Sequence, residues 1–161
     1  LKKSIDIAFA RIKYFHTKQK FSSFKYKEKF KNELSYKDSP IESVGVYVPG
    51  GTAPLVSTSL MTVAIAKAVN VPNITVCTPP DRRGSVCPEL IYALNRCGAT
   101  SIYRIGGAQA IAAMSIGTKT IKKVDKIFGP GNAYVASAKK QFFGFLSINE
   151  LLRFMFSNVL I

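Results

Sequence analysis

Trp is absent from this 161-residue chain, His occurs once, and Asp plus Glu number only 9 against 23 Lys plus Arg. The single histidine, His16, excludes a multi-histidine metal site built from these residues alone. Three cysteines, Cys77, Cys87 and Cys97, form neither a CxxC pair nor an even-numbered disulfide framework. A reducing cytoplasm is therefore the expected compartment. Glycine-rich turns are present, but none reads GxGxxG, so the standard dinucleotide fingerprint is missing. The most apolar stretch, residues 142–161, carries Glu150 and Arg153 near its centre. In a lone membrane span each would cost about 2.5–3.5 kcal/mol, so no membrane partner is expected. A buried segment parted from its partner domain, or a stretch of altered reading frame, accounts better for it. The chain opens on Leu1 rather than Met with no signal peptide ahead of it, and the expectation is an internal piece of a longer protein.

The shortage of acids leaves a formal net charge of +14. A charge of that size raises nucleic acid as a partner. Residues 1–40 hold 11 of the basic residues and 4 of the acidic ones, so the excess is densest on a leading arm. Lysines interleaved with Phe and Tyr over 13–31 would suit single-strand binding. No nucleic-acid motif accompanies them, and a helix with lysines turned outward gives the same pattern. The expectation is no nucleic-acid partner.

Ile5, Ile7, Ala8, Ile12 and Phe15, then Phe21, Phe24 and Phe30, recur at rough 3–4 spacing, which predicts a helical arm over 1–40. Ser22-Ser23 interrupts it and Ser39-Pro40 ends it. From residue 44 the pattern changes. Four short runs rich in β-branched residues, 44–49, 73–78, 101–105 and 124–128, each close on a Gly- or Pro-rich turn. Helix-like stretches lie between and after them, at 57–69, 85–97, 108–116 and 132–143. One strand and one helix per unit calls for a parallel sheet with helices on its faces. The expected fold is α/β, Rossmann-like, over 41–144, followed by a divergent apolar tail over 145–161.

Ligands of open parallel sheets sit at the carboxyl ends of the strands. Three turns there are rich in glycine: Pro49-Gly50-Gly51-Thr52-Ala53-Pro54, Gly106-Gly107-Ala108-Gln109 and Gly129-Pro130-Gly131-Asn132. Such turns let backbone N–H groups approach an anion closely at a helix start. Taken singly, each reads as an ordinary turn and cap. Three on one sheet edge suggest a ligand.

VGVYVPGGTAPLVST, RIGGAQAIAAMSIGT and VDKIFGPGNAYVASAKKQ, in that order, resemble the histidinol dehydrogenase family. ARIKYFHTKQ is similar to the family's segment ahead of the first loop, and the resemblance runs from residue 1 to about 144. It implies an NAD-dependent, zinc-containing homodimer that oxidises L-histidinol to L-histidine, the last step of histidine biosynthesis, with two NAD consumed. It further implies that Tyr47, Gln109 and Asn132 contact NAD, a role that a ring beside a glycine turn and two amides at helix starts can fill. The family's Glu-His pair, zinc ligands and C-terminal His lie beyond the matched motifs, so no catalytic or metal residue is assigned here. After Gly144 the family's Ala-Gly-Pro-Ser/Thr-Glu motif finds no match. An inactive degenerate product is the remaining alternative. The cysteines have no histidine to activate them and read as packing residues.

Overall fold

The computed structural model describes residues 1–19, 24–36, 41–50, 55–142 and 147–148. Expectations placed on Phe21, Ser22-Ser23, Ser39-Pro40, Glu150 and Arg153 lie outside these residues, as do most of the first glycine turn (51–54) and most of the tail.

The chain begins with helix α1 (Lys2–Lys18) and a hairpin of β1 (Phe24–Lys27) and β2 (Glu33–Tyr36). Then strands and helices alternate: β3 (Ser43–Tyr47), α2 (Val56–Ala68), β4 (Asn73–Cys77), α3 (Pro88–Cys97), β5 (Ser101–Tyr103), α4 (Gly107–Ile116), β6 (Lys126–Phe128), α5 (Ala133–Gln141) and β7 (Ser147–Ile148). The main sheet runs β5-β4-β3-β6-β7 with every pair parallel. The α/β expectation therefore holds, with the elements from β3 to α5 within a few residues of their expected places.

The strands are short and buried because they face helices on both sides. Val44, Val46 and Val48 point into one core with Ile74, Val76, Val63, Leu90 and Leu94. Tyr47, Cys77 and Ile127 point into the other with Ala110, Ile111, Met114 and Val135. Side chains alternate between faces along a strand, so the run Val44–Val48 supplies two layers at once. α1, α2 and α3 cover the first face, and α4 and α5 pack together on the second.

Residues 24–36 overturn the helical expectation. Phe-Lys-Tyr-Lys alternates with period two, not 3.6, and pairs antiparallel with Glu33–Tyr36. A tight reversal closes the hairpin: the Lys31 N–H donates to the Glu28 carbonyl at 3.0 Å and Lys31 has φ of 69°. A turn followed by one left-handed residue is a standard three-residue hairpin loop. Lys25 and Glu33 form an ion pair across the strands. Aromatic spacing taken across the whole arm blurs two periods into one.

Helix α1 is not a free arm. Ile5 and Phe9 are buried, and Phe9 belongs to the first core. The Asp6 carboxylate accepts from Arg96 Nε at 2.5 Å and from the Tyr92 hydroxyl at 3.0 Å, docking α1 onto α3. Bonds from Arg96 and then Tyr92 hold the Asp6 carboxyl below its ordinary value of 3.8. Its bond to Asp6 raises Tyr92 above 10.0. A depressed carboxyl stabilises the folded form above its ordinary range, and that contribution is lost as pH falls through the depressed value. A raised phenol contributes below pH 10 and loses its share as pH climbs through the raised value. Asp6→Asn is expected to flatten both edges of the melting-temperature profile. An identical profile in the variant, measured by circular dichroism from pH 2 to pH 11, would remove this dock from the account.

The amino edge of the sheet is pinned by side chains. Asp125 Oδ2 accepts from the Ser43 N–H and from its hydroxyl, both at 2.8 Å. The Thr100 hydroxyl donates to the Ile74 carbonyl and accepts from the Ile74 N–H, both at 2.9 Å. The carboxyl edge is built from glycine turns instead.

Candidate cofactor site

After β3 the chain adds β4 and β5 on one side, then crosses to lay β6 on the other. The order reverses between β3 and β6, and a crevice at the carboxyl ends of such strands is where open α/β sheets take ligands. Tyr47, Pro79, Gly106 and Gly129 all follow or end strands at that edge.

Two tight junctions knit the turns together. Pro79, after β4, fills the space beside two glycines: a Cβ on Gly50 would sit 2.6 Å from Pro79 Cγ, and one on Gly106 would strike Pro79 Cβ. Tyr47 makes the second junction. Its hydroxyl accepts the Gly107 N–H at 3.0 Å, while its backbone carbonyl lies where a Cβ on Gly129 would fall. Gly129 has φ of 112°, a left-handed conformation open to glycine and strained for other residues. Tyr47 thus touches the turn after β5 with its side chain and the turn after β6 with its backbone.

Gln109 folds back over this junction. A Cβ on Gly107 would lie 2.8 Å from Gln109 Oε1, and Gln109 itself is exposed. The N-cap of α4, Gly106, has no side chain to offer. The Tyr47 hydroxyl takes the Gly107 N–H, which leaves the N–H groups after it in the first turn to face an anion. Asn132 is the N-cap of α5: its Oδ1 accepts the Val135 N–H at 3.1 Å. That bond occupies the oxygen and leaves the exposed amide nitrogen for a partner.

Tyr47 and Gln109 therefore meet around Gly107. Asn132 joins them indirectly through Gly129, since among the described residues no hydrogen bond links it to either. Tyr47 is only 4% exposed and sits in the second core. Its ring packs as an ordinary strand aromatic, and its hydroxyl is engaged with the loop. Sequence reasoning missed Pro79 and Lys139. Pro79 reads in the sequence only as part of the turn that closes 73–78, with nothing to tie it to the other turns. Lys139 lies four residues after Val135, but only the fold shows that this stripe of α5 is buried.

Known proteins share this architecture. A sequence profile of histidinol dehydrogenase matches residues 1–152. The chain belongs to the histidinol dehydrogenase family. It is 49% identical to the histidinol dehydrogenase of Pelagibacter ubique over 152 residues, which is 94% of this chain and 35% of that protein. It is 48% identical to the one from Buchnera aphidicola, of which it spans 33%. The crystal structure of histidinol dehydrogenase from Elizabethkingia anophelis superposes with a TM-score of 0.85 at 43% identity, covering 91% of this chain and 34% of that one. The chain thus spans about a third of the length of the relatives it matches. Likeness to histidinol dehydrogenases reaches residue 152, beyond the expected limit at 144. Within that range Ser147–Ile148, assigned to a divergent tail, form strand β7 beside β6.

Zinc does not fit the donors in view. Among the described residues no three of His, Cys, Asp or Glu come together. Burial pushes the Cys77 and Cys97 thiols up to about 12, so both are protonated at neutral pH and poor nucleophiles. The Cys87 thiol donates to Glu89 at 2.6 Å at the start of α3. His16 lies on α1, which packs on the first face of the sheet. No helix among the described residues is long and apolar enough to cross a membrane.

Proposed function

We propose that this chain carries NAD-binding loops for the oxidation of L-histidinol to L-histidine, with NAD lying across the carboxyl edge of β3, β5 and β6 and touching Tyr47, Gln109 and Asn132. The observation that carries the reading is the junction at Gly107. There one buried hydroxyl fixes the start of α4 while Gln109 folds over the same glycine. A dinucleotide is long, and only a site drawn from several βα turns can hold both its ends.

The bound nicotinamide ring would accept a hydride. This chain's own residues bind and orient. The amino ends of α4 and α5, apart from the Gly107 and Val135 N–H groups already bonded to Tyr47 and Asn132, favour the negatively charged pyrophosphate. The Asn132 amide nitrogen and the Gln109 amide offer donors to phosphate or ribose oxygens. Tyr47 acts through its side-chain hydroxyl, which accepts the Gly107 N–H and so sets the angle at which α4 meets the ligand. Among the described residues no group of His, Cys, Asp and Glu is gathered that could hold a metal ion. The remainder of the reading is a homodimer in a reducing cytoplasm, which three free thiols suit.

Gln109→Ala is expected to raise the NAD dissociation constant roughly ten- to hundred-fold, the worth of one buried amide contact of about 1–3 kcal/mol. Its melting temperature should stay unchanged, because the side chain is exposed. Asn132→Ala should weaken NAD similarly and also lose about 0.5–2 kcal/mol of stability with the α5 cap. Unchanged NAD affinity in both variants, by calorimetric titration, would overturn the reading.

A further inference from the structure

Lys139 is an unusual residue for its place. It lies on α5 among Val135 and Ala138, facing the second core, and it is only 9% exposed. Lysine is almost never buried unless its ammonium is well bonded, since taking that charge out of water is costly. Here Nζ donates to the Gly129 carbonyl at 2.5 Å. A helical side chain leans toward the amino end of its helix, so a residue in the last turn of α5 reaches back to the turn that precedes the helix.

That carbonyl belongs to the residue pressed hardest against Tyr47. Gly129 is held in a left-handed conformation, and its Cα hydrogen side faces the Tyr47 carbonyl with no room for a methyl group. Tyr47 in turn receives the Gly107 N–H. The contacts form one line across three strand ends: Lys139 to Gly129, Gly129 to Tyr47, Tyr47 to Gly107. Pro130 fixes its own φ, but the glycines on either side of it are permissive, and the ammonium supplies a fixed anchor from a rigid helix.

We propose that Lys139 is a positioning residue for the dinucleotide: by tethering the Gly129 carbonyl it locks the 129–132 turn against Tyr47 and so keeps the α4 and α5 starts in a single binding-competent arrangement. The inference rests on the NAD reading for its ligand, but the tether exists apart from it. A charge-assisted bond of this kind is among the stronger hydrogen bonds available, and a loosely held site loses affinity because ordering must then accompany binding.

The test compares the full chain with Lys139→Met, which keeps the length and loses the donor, and Lys139→Arg, which keeps a donor. NAD dissociation constants are measured by titration well below all melting transitions, and amide exchange at Gly107 is followed by NMR without ligand. The expected result is an NAD dissociation constant about tenfold or more higher in Lys139→Met, faster exchange at Gly107, and recovery of most of both in Lys139→Arg. A purely structural lysine would lower the melting temperature of Lys139→Met and leave the affinity and the Gly107 exchange as in the parent, and that outcome overturns the proposal. Failure of the parent chain to bind NAD would defeat the functional reading alone. The Gly107 exchange would then still decide the tether, with no difference between parent and Lys139→Met counting against it.

Discussion

Gly129→Ala is expected to destabilise the fold by about 3–5 kcal/mol, combining left-handed strain with the displacement of packed backbone. Two features act together at this position. A φ of 112° is a conformation that side-chain-bearing residues rarely adopt, and the added methyl would land on the Tyr47 carbonyl. Relief requires β3 and the turn after β6 to part, which opens the centre of the sheet. For a domain of this size the loss corresponds to a fall of roughly 10 °C in the melting temperature. Gly84→Ala supplies the comparison. Gly84 also has positive φ, at 76°, but a Cβ there meets nothing within 4 Å. Its cost should be only about 1 kcal/mol of backbone strain. Equal losses in the two variants would mean that the contact with Tyr47 contributes nothing.

The second large effect concerns chemistry. Incubated with L-histidinol and NAD, the purified chain is expected to form NADH no faster than buffer, whatever zinc is added. Positioned acid–base groups and metal ions account for much of the roughly 10⁶-fold or greater accelerations typical of enzymes. The described residues bring no such set together: the lone histidine is on α1, the two buried thiols are held protonated, and no metal-ligating cluster forms. Binding of NAD without turnover is the combined expectation. NADH formation by tag-free chain above a no-protein control, read by its near-ultraviolet absorbance, would show that the chain supplies a catalytic group of its own.

Much of the α/β architecture is legible in the residues themselves. Val44–Val48 and Ile74–Cys77 are short, β-branched and closed by turns, and helix-like stretches separate them at the spacing of one βα unit. Burial on both sheet faces requires that composition, so the parallel sheet follows from local pattern. The glycine turns are legible for the same reason, because close backbone approach leaves glycine as the residue that fits. The hairpin at 24–36 is hidden because its two-residue alternation sits inside a longer stretch of loosely spaced aromatics. Two-stranded pairing depends on the partner strand as much as on the strand itself.

Local residue pattern is enough to set the class of fold, the three glycine turns and the family. How those turns are joined is a matter of contacts between distant parts of the chain. Tyr47 to Gly107 spans 60 residues and Asp125 to Ser43 spans 82, and neither partner carries a mark of the other in its neighbourhood. Lys139 is the sharpest case. A lysine near the end of an amphipathic helix ordinarily lies in solvent, and here it is buried because α5 turns that face toward the sheet, where the Gly129 carbonyl accepts its hydrogen bond. Periodicity reports which face of an element is apolar. Which distant backbone group that face will meet is set by the packing of the whole chain.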